Sequence, residues 1–105
     1  MNDLNSVLIE GKINGDIETK TIDGIKTCIL WIKSIRFSGS KKEISYFKIE
    51  ATGKLAEILL IEGNDNRGLR IVGRLKQNIL EKNDNLKSET VIIREHIEYR
   101  VAENA

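Results

Sequence analysis

Tyr46 and Lys48 stand two places apart in a run whose polar and apolar residues alternate, Ser45-Tyr46-Phe47-Lys48-Ile49-Glu50-Ala51-Thr52. On an extended strand that spacing puts both side chains on one face, about 7 Å apart. An aromatic plane beside an ammonium group can hold a nucleic-acid base and its neighbouring phosphate together. Phe37 has similar company, with Lys33, Arg36, Lys41 and Lys42 close by in sequence. Lys76, Lys82 and Lys87 line the last hairpin. Singly, such lysines are ordinary solubilising residues, and Tyr46 alone suits half-buried packing as well as stacking. Only their convergence on one surface carries meaning.

Other chemistries find less support. Cys28 and His96 are the single cysteine and histidine, so neither an internal disulfide nor a cage of soft metal ligands can be built within one chain. No Ser/His/Asp or Cys/His constellation can be assembled from them. Gly11-Lys12-Ile13-Asn14-Gly15 lacks the Gly-Lys-Ser/Thr ending and following helix of a phosphate loop. Glu95 and Glu98 are better read as solvated surface, and His96 as a structural histidine. The expectation is a protein that is not an enzyme, with no catalytic residues, metal or cofactor.

The chain has 105 residues, 31% of them charged and spread along its length, with a formal charge of +1. One domain over 1–105 follows, burying roughly 60–70% of its unfolded surface. A nucleic-acid binder of this balance must segregate its 17 basic residues onto one surface. No apolar run approaches the ~18 residues of a membrane span. The first residues, Met1-Asn2-Asp3-Leu4-Asn5, lack the form of a signal peptide. A cytoplasmic protein in a reducing compartment is expected.

The elements that must position these residues read mostly as strands. Val7–Ile13 is the first, broken by Gly11, which suggests a bulge or bend. Asp23-Gly24 signals a hairpin between Glu18–Ile22 and Lys26–Ile35. In Ser45–Thr52, Phe47, Ile49 and Ala51 face the core while Tyr46, Lys48, Glu50 and Thr52 face out. A helix is predicted from Lys54 to about Glu62, stopped by Gly63-Asn64-Asp65-Asn66. Leu69–Lys76 follows with a second bulge at Gly73, then a loop tip at Asn83-Asp84-Asn85 and a last strand, Glu89–Tyr99. Trp31 shares parity with Ile29 and is assigned to the core. The alternative is a subunit interface, since Cys28, Leu30 and Ile32 make the other side apolar too. The fold class is all-β, a five-stranded OB-fold barrel with one short helix between the third and fourth strands.

Four segments now carry a family likeness. They are Asn5-Ser6-Val7-Leu8-Ile9-Glu10-Gly11, then Phe47-Lys48-Ile49-Glu50 running into Gly53-Lys54-Leu55-Ala56-Glu57, then Val72-Gly73-Arg74-Leu75-Lys76, and Val91 to Tyr99. Over roughly residues 4–99 the chain resembles the DNA-binding core of bacterial-type single-stranded DNA-binding proteins, the SSB family. The resemblance implies a coat on single-stranded DNA, with little sequence preference, during replication, recombination and repair. It implies a homotetramer, a dimer remaining possible, located in the cytoplasm on the nucleoid. Phe37 and Tyr46 look like its stacking platforms. Lys48 and Lys54 match basic positions of the binding surface, Arg74 and Lys76 lie near it, and Lys33 and Arg36 join them as DNA-binding candidates.

The departures matter as well. Thr52 stands where the family often has an aromatic near the end of the third strand, and Leu80 is the nearest match for one in the long hairpin. Each base–ring stack is worth about 1–3 kcal/mol. Weaker or differently partitioned binding is therefore expected, partly offset by apolar contact from Leu80. The chain stops six residues after Tyr99, without the acidic tip through which many members recruit replication and repair proteins. A primosome-type adaptor of the same fold, dimeric and acting through protein contacts, is the alternative function.

Overall fold

The structure, a computed structural model, describes residues 1–54, 56, 57, 59, 64–82 and 85–100, with 80–82, 85 and 86 as backbone. Its strands are β1 (Val7–Ile13), β2 (Glu18–Ile22), β3 (Ile25–Ser38), β4 (Lys41–Thr52), β5 (Gly68–Lys82) and β6 (Asn85–Tyr99). They pair in the order β1-β5-β6-β4-β3-β2, and β1 returns to β3 to close the sheet on itself. The β4–β6 pairing is parallel; the rest are antiparallel.

The six segments make five barrel strands, because β1 and β2 are two halves of one bent strand. Ile13 lies opposite Ile32 and Glu18 opposite Ile29, so four residues of the bend face two of β3. The bend is pinned by Asn14 N–H donating to the Trp31 carbonyl at 2.9 Å and Gly15 N–H to Asp65 Oδ1 at 2.8 Å. Such a local excess of residues lets a strand turn a barrel corner. The barrel is the all-β, OB-type architecture expected from the sequence.

Alternation decides the core. Cys28, Leu30 and Ile32 of β3 meet Ile49 and Ala51 of β4, Leu69 and Ile71 of β5, and Ile92 and Ile97 of β6. Ala56 and Leu59 plug this cluster from a helix that includes Lys54, Ala56, Glu57 and Leu59. Leu55, Ile58 and 60–62 of the predicted helix lie outside the described residues. Each fully buried aliphatic side chain contributes about 1.5–3 kcal/mol. The Cys28 thiol donates to the Ala56 carbonyl at 3.3 Å, and burial pushes its pKa up.

Phe47, expected in the core, keeps the inner parity opposite Ile32 but is 36% exposed, because the β3–β4 ribbon there outruns the core. Four further expectations change. Trp31 is outside the core, 44% exposed, while its neighbours Leu30 and Ile32 are fully buried. Both parities of β3 are apolar, so only pairing with β1 and β4 could choose the inner set. The strands also run longer than predicted: β3 to Ser38, β4 from Lys41, β5 to Lys82 and β6 from Asn85. These extensions are two-stranded ribbons, held by ladder hydrogen bonds beyond the reach of the core. Apolar periodicity cannot report them. Asn83 and Asp84, within the predicted loop tip, lie outside the described residues, and Asn85 is already paired with Lys82.

Gly11 is the fourth of these changes, since pairing runs through it without a shift. A side chain there would instead meet the Lys33 carbonyl oxygen at 2.7 Å, where β1 crosses to β3. The register does shift between Val72 and Gly73, but the extra residue is Glu95 of β6, between Arg94 and His96, so the bulge lies opposite Gly73 and not at it. A Cβ at Gly73 would lie 2.3 Å from the Ile93 carbonyl oxygen, a backbone atom with nowhere to go. Gly73→Ala should therefore cost about 1–3 kcal/mol, read as a lower urea midpoint with an unchanged slope. A midpoint equal to that of the wild type would show that the bulge relaxes freely.

Candidate nucleic-acid interface

Cross-strand partners share a face, so the β3–β4 register sorts the outward side chains without ambiguity. It runs unbroken from Thr27 opposite Thr52 to Ser38 opposite Lys41. Ile29, Trp31, Lys33, Ile35 and Phe37 point out from β3. Opposite them on β4 stand Glu50, Lys48, Tyr46, Ile44 and Lys42. Phe37 is 71% exposed and Tyr46 52%. Ile35 and Ile44, a directly opposed pair between the two rings, are exposed too.

The surface continues across the parallel seam, where Glu50 pairs with Ile93 of β6, and on to β5. There Arg74 and Lys76 line an open groove of about 530 Å³ together with Thr52, Glu50, Glu89 and Ile93. The Asp23-Gly24 hairpin forms one wall. Both of those residues have positive φ, 50° and 76°, which matches the twist of a two-residue hairpin. Val91, opposite Lys76, is buried at 1% exposure without belonging to the barrel core, so this outer surface has an apolar floor.

Electrostatics of the face are mixed. Lys48 Nζ sits 2.7 Å from Glu89 Oε1, with both side chains about two-thirds or more covered. Glu50 adds a second carboxylate to the groove. On β6, Arg94 donates through Nη2 to the Thr52 carbonyl at 3.3 Å. Burial lowers its pKa, the direction expected for a cation deprived of water.

Of the residues singled out from the sequence, Phe37, Tyr46, Lys33 and Lys48 come together on the β3–β4 face, and Arg74 and Lys76 in the groove beside it. Lys54 begins the helix two residues beyond Thr52 and is exposed. Arg36 stands opposite Glu43, on the reverse side of the ribbon from Phe37. The Leu80 side chain lies outside the described residues.

A family model for the single-strand binding protein family matches residues 4–100. The chain belongs to that family. Among solved structures, it is similar to a Plasmodium falciparum SSB in complex with single-stranded DNA, with a TM-score of 0.85 and 16% identity. The match covers 96% of this chain and 98% of the other. At that identity the likeness speaks for the fold. A search of curated proteins returned no match.

For a member of this family, what sequence reasoning missed is instructive. Trp31 and Ile35 join the face because the inner parity is even on β3. Glu89 was missed because its strand reaches Lys48 through the parallel seam, a contact between residues 41 positions apart. Glu89 is thus an internal competitor for any anion that approaches Lys48. Glu89→Gln should raise the salt needed to elute the protein from immobilised heparin, and by more than the charge-matched control Glu98→Gln. Equal elution of the two variants would take Lys48 off the anion-binding surface.

Proposed function

We propose that this protein binds and coats single-stranded DNA, with little sequence preference, during replication, recombination and repair. The observation that carries the reading is the outward β3–β4 face. Exposed rings there alternate with ammonium groups along strands whose side-chain repeat is about 7 Å. Rings accept any unpaired base, because every base has a π-face. The ammonium groups take the phosphates and release the counterions condensed on the strand. A duplex keeps its bases stacked inside and cannot offer them to Phe37 and Tyr46.

Phe37 and Tyr46 are the stacking platforms in this reading, and Lys33, Lys48, Arg74 and Lys76 neutralise phosphates along the way to the groove. Lys54 extends the basic surface at the helix start, with Leu80 at the far hairpin as an apolar contact. Arg36, opposite Glu43, contacts only a strand that wraps the reverse of the ribbon. The protein makes and breaks no covalent bond in this role, needs no cofactor, and works in the cytoplasm. A homo-oligomer, a tetramer in preference to a dimer, is supported by family membership and by the exposed Leu8 of β1.

Oligothymidine should bind far more tightly than a duplex of equal length. Four phosphate contacts per subunit would give a log–log salt slope near −2.8, at about −0.7 for each. A duplex held as well as the single strand would end the proposal. Tyr46→Ala should cost about 1–3 kcal/mol of oligothymidine affinity, measured by titration at fixed salt; an unchanged affinity would remove Tyr46 from the site.

A further inference from the structure

Trp31 is the largest side chain on the outward face, and neither the family likeness nor the platforms assigned above use it. Its surroundings form a checkerboard. Trp31 lies opposite Lys48, and Lys33 lies opposite Tyr46, one step further along the same two strands. Two rings therefore occupy one diagonal of a four-residue square and two ammonium groups the other. Diagonal positions on adjacent strands are about 7–8 Å apart, still within reach of aromatic side chains. A base stacked at a spacing of about 3.4 Å on each side requires about 6.8 Å between its two neighbours.

We propose that Trp31 is a third stacking platform, which together with Tyr46 holds one base between two rings while Lys33 and Lys48 take the flanking phosphates. The inference rests on the single-stranded DNA reading and deepens it. Three observations carry it. Trp31 is 44% exposed although it lies mid-strand in the barrel wall, where Ile29, the preceding residue on the same face, is buried. Its ring has no cation over it: among the described residues, the cation–ring contact is Arg67 over Tyr99, at 5.5 Å. Its backbone is held on both edges, by Lys48 of β4 and by Asn14 N–H on its carbonyl.

That rigidity separates Trp31 from Phe37, which is paired with β4 alone. A platform fixed before binding loses little freedom when a base arrives. Trp31 also answers a gap at the end of this face, where Thr52 offers no ring to the groove. Lys33 beside the tryptophan disfavours an apolar protein partner at this spot, since docking one would strip water from its ammonium group.

Trp31 is the single tryptophan of the chain, so its emission reports on this ring alone. Oligothymidine titrated into the wild-type protein should quench that emission strongly, saturating at the ratio found independently by mobility shift. Trp31→Leu should weaken binding roughly ten- to a hundredfold, and Trp31→Phe should restore most of the loss. If the oligonucleotide shifts the protein without quenching, or Trp31→Leu binds like the wild type, Trp31 is no platform and the single-strand reading survives. If the wild type shifts no oligonucleotide at all, both fall together. The quenching needs no substitution, so it decides the matter even if a variant folds poorly.

Discussion

The β3–β4 ladder is the constraint on which everything else in this protein rests. A strand has two faces, and a slip of one residue exchanges them completely. With Leu30 opposite Ile49 and Cys28 opposite Ala51, the even positions of β3 seal the barrel. The odd positions are then committed to the outside. Trp31, Lys33, Ile35 and Phe37 owe their shared surface to that register and to nothing in their own chemistry.

Closure of the barrel supplies the rest of the surface. The parallel β4–β6 seam is narrow, with Ile49 opposite Ile92 and Glu50 opposite Ile93. Across it, β6 and β5 bring Glu89, Arg74 and Lys76 within reach of the β4 residues, although they lie far away along the chain. On the other edge, Lys12 and Ile13 of β1 pair with Lys33 and Ile32, and Gly11 lets the two backbones approach. A smaller set of contacts at the strand ends keeps these edges in place. Asn5 is one: its side-chain amide donates to the Leu75 carbonyl at 2.7 Å and accepts from the Leu75 N–H at 2.9 Å. It adds one rung to the β1–β5 ladder without a backbone partner.

The face is less basic than its lysines imply. Glu89 occupies Lys48, and Glu50 shares the groove with Arg74 and Lys76, so an incoming phosphate must displace or outbid carboxylates already there. A formal charge of +1 is compatible with strand binding only because position, and not total, sets the local potential. Rings then matter more. In the proposed site, Phe37, Tyr46 and Trp31 would act through surfaces that salt does not screen, which suits a face whose cations are partly matched by acids.

Much of this was legible in the residues themselves. The Asp23-Gly24 turn, the alternation of Ser45–Thr52 and the β-branched runs each declare a local conformation whose energetics are local, and the closed β architecture follows from their order. Tyr46 beside Lys48 was legible for the same reason, since a period of two needs no partner strand to be recognised. Trp31 was not, because β3 is apolar on both sides and pattern alone cannot say which side another strand will cover. Nor could it show Glu89 against Lys48, or Arg36 turned away from Phe37. Those depend on which strands meet and in what register, and long-range pairing decides that through the burial of a common core.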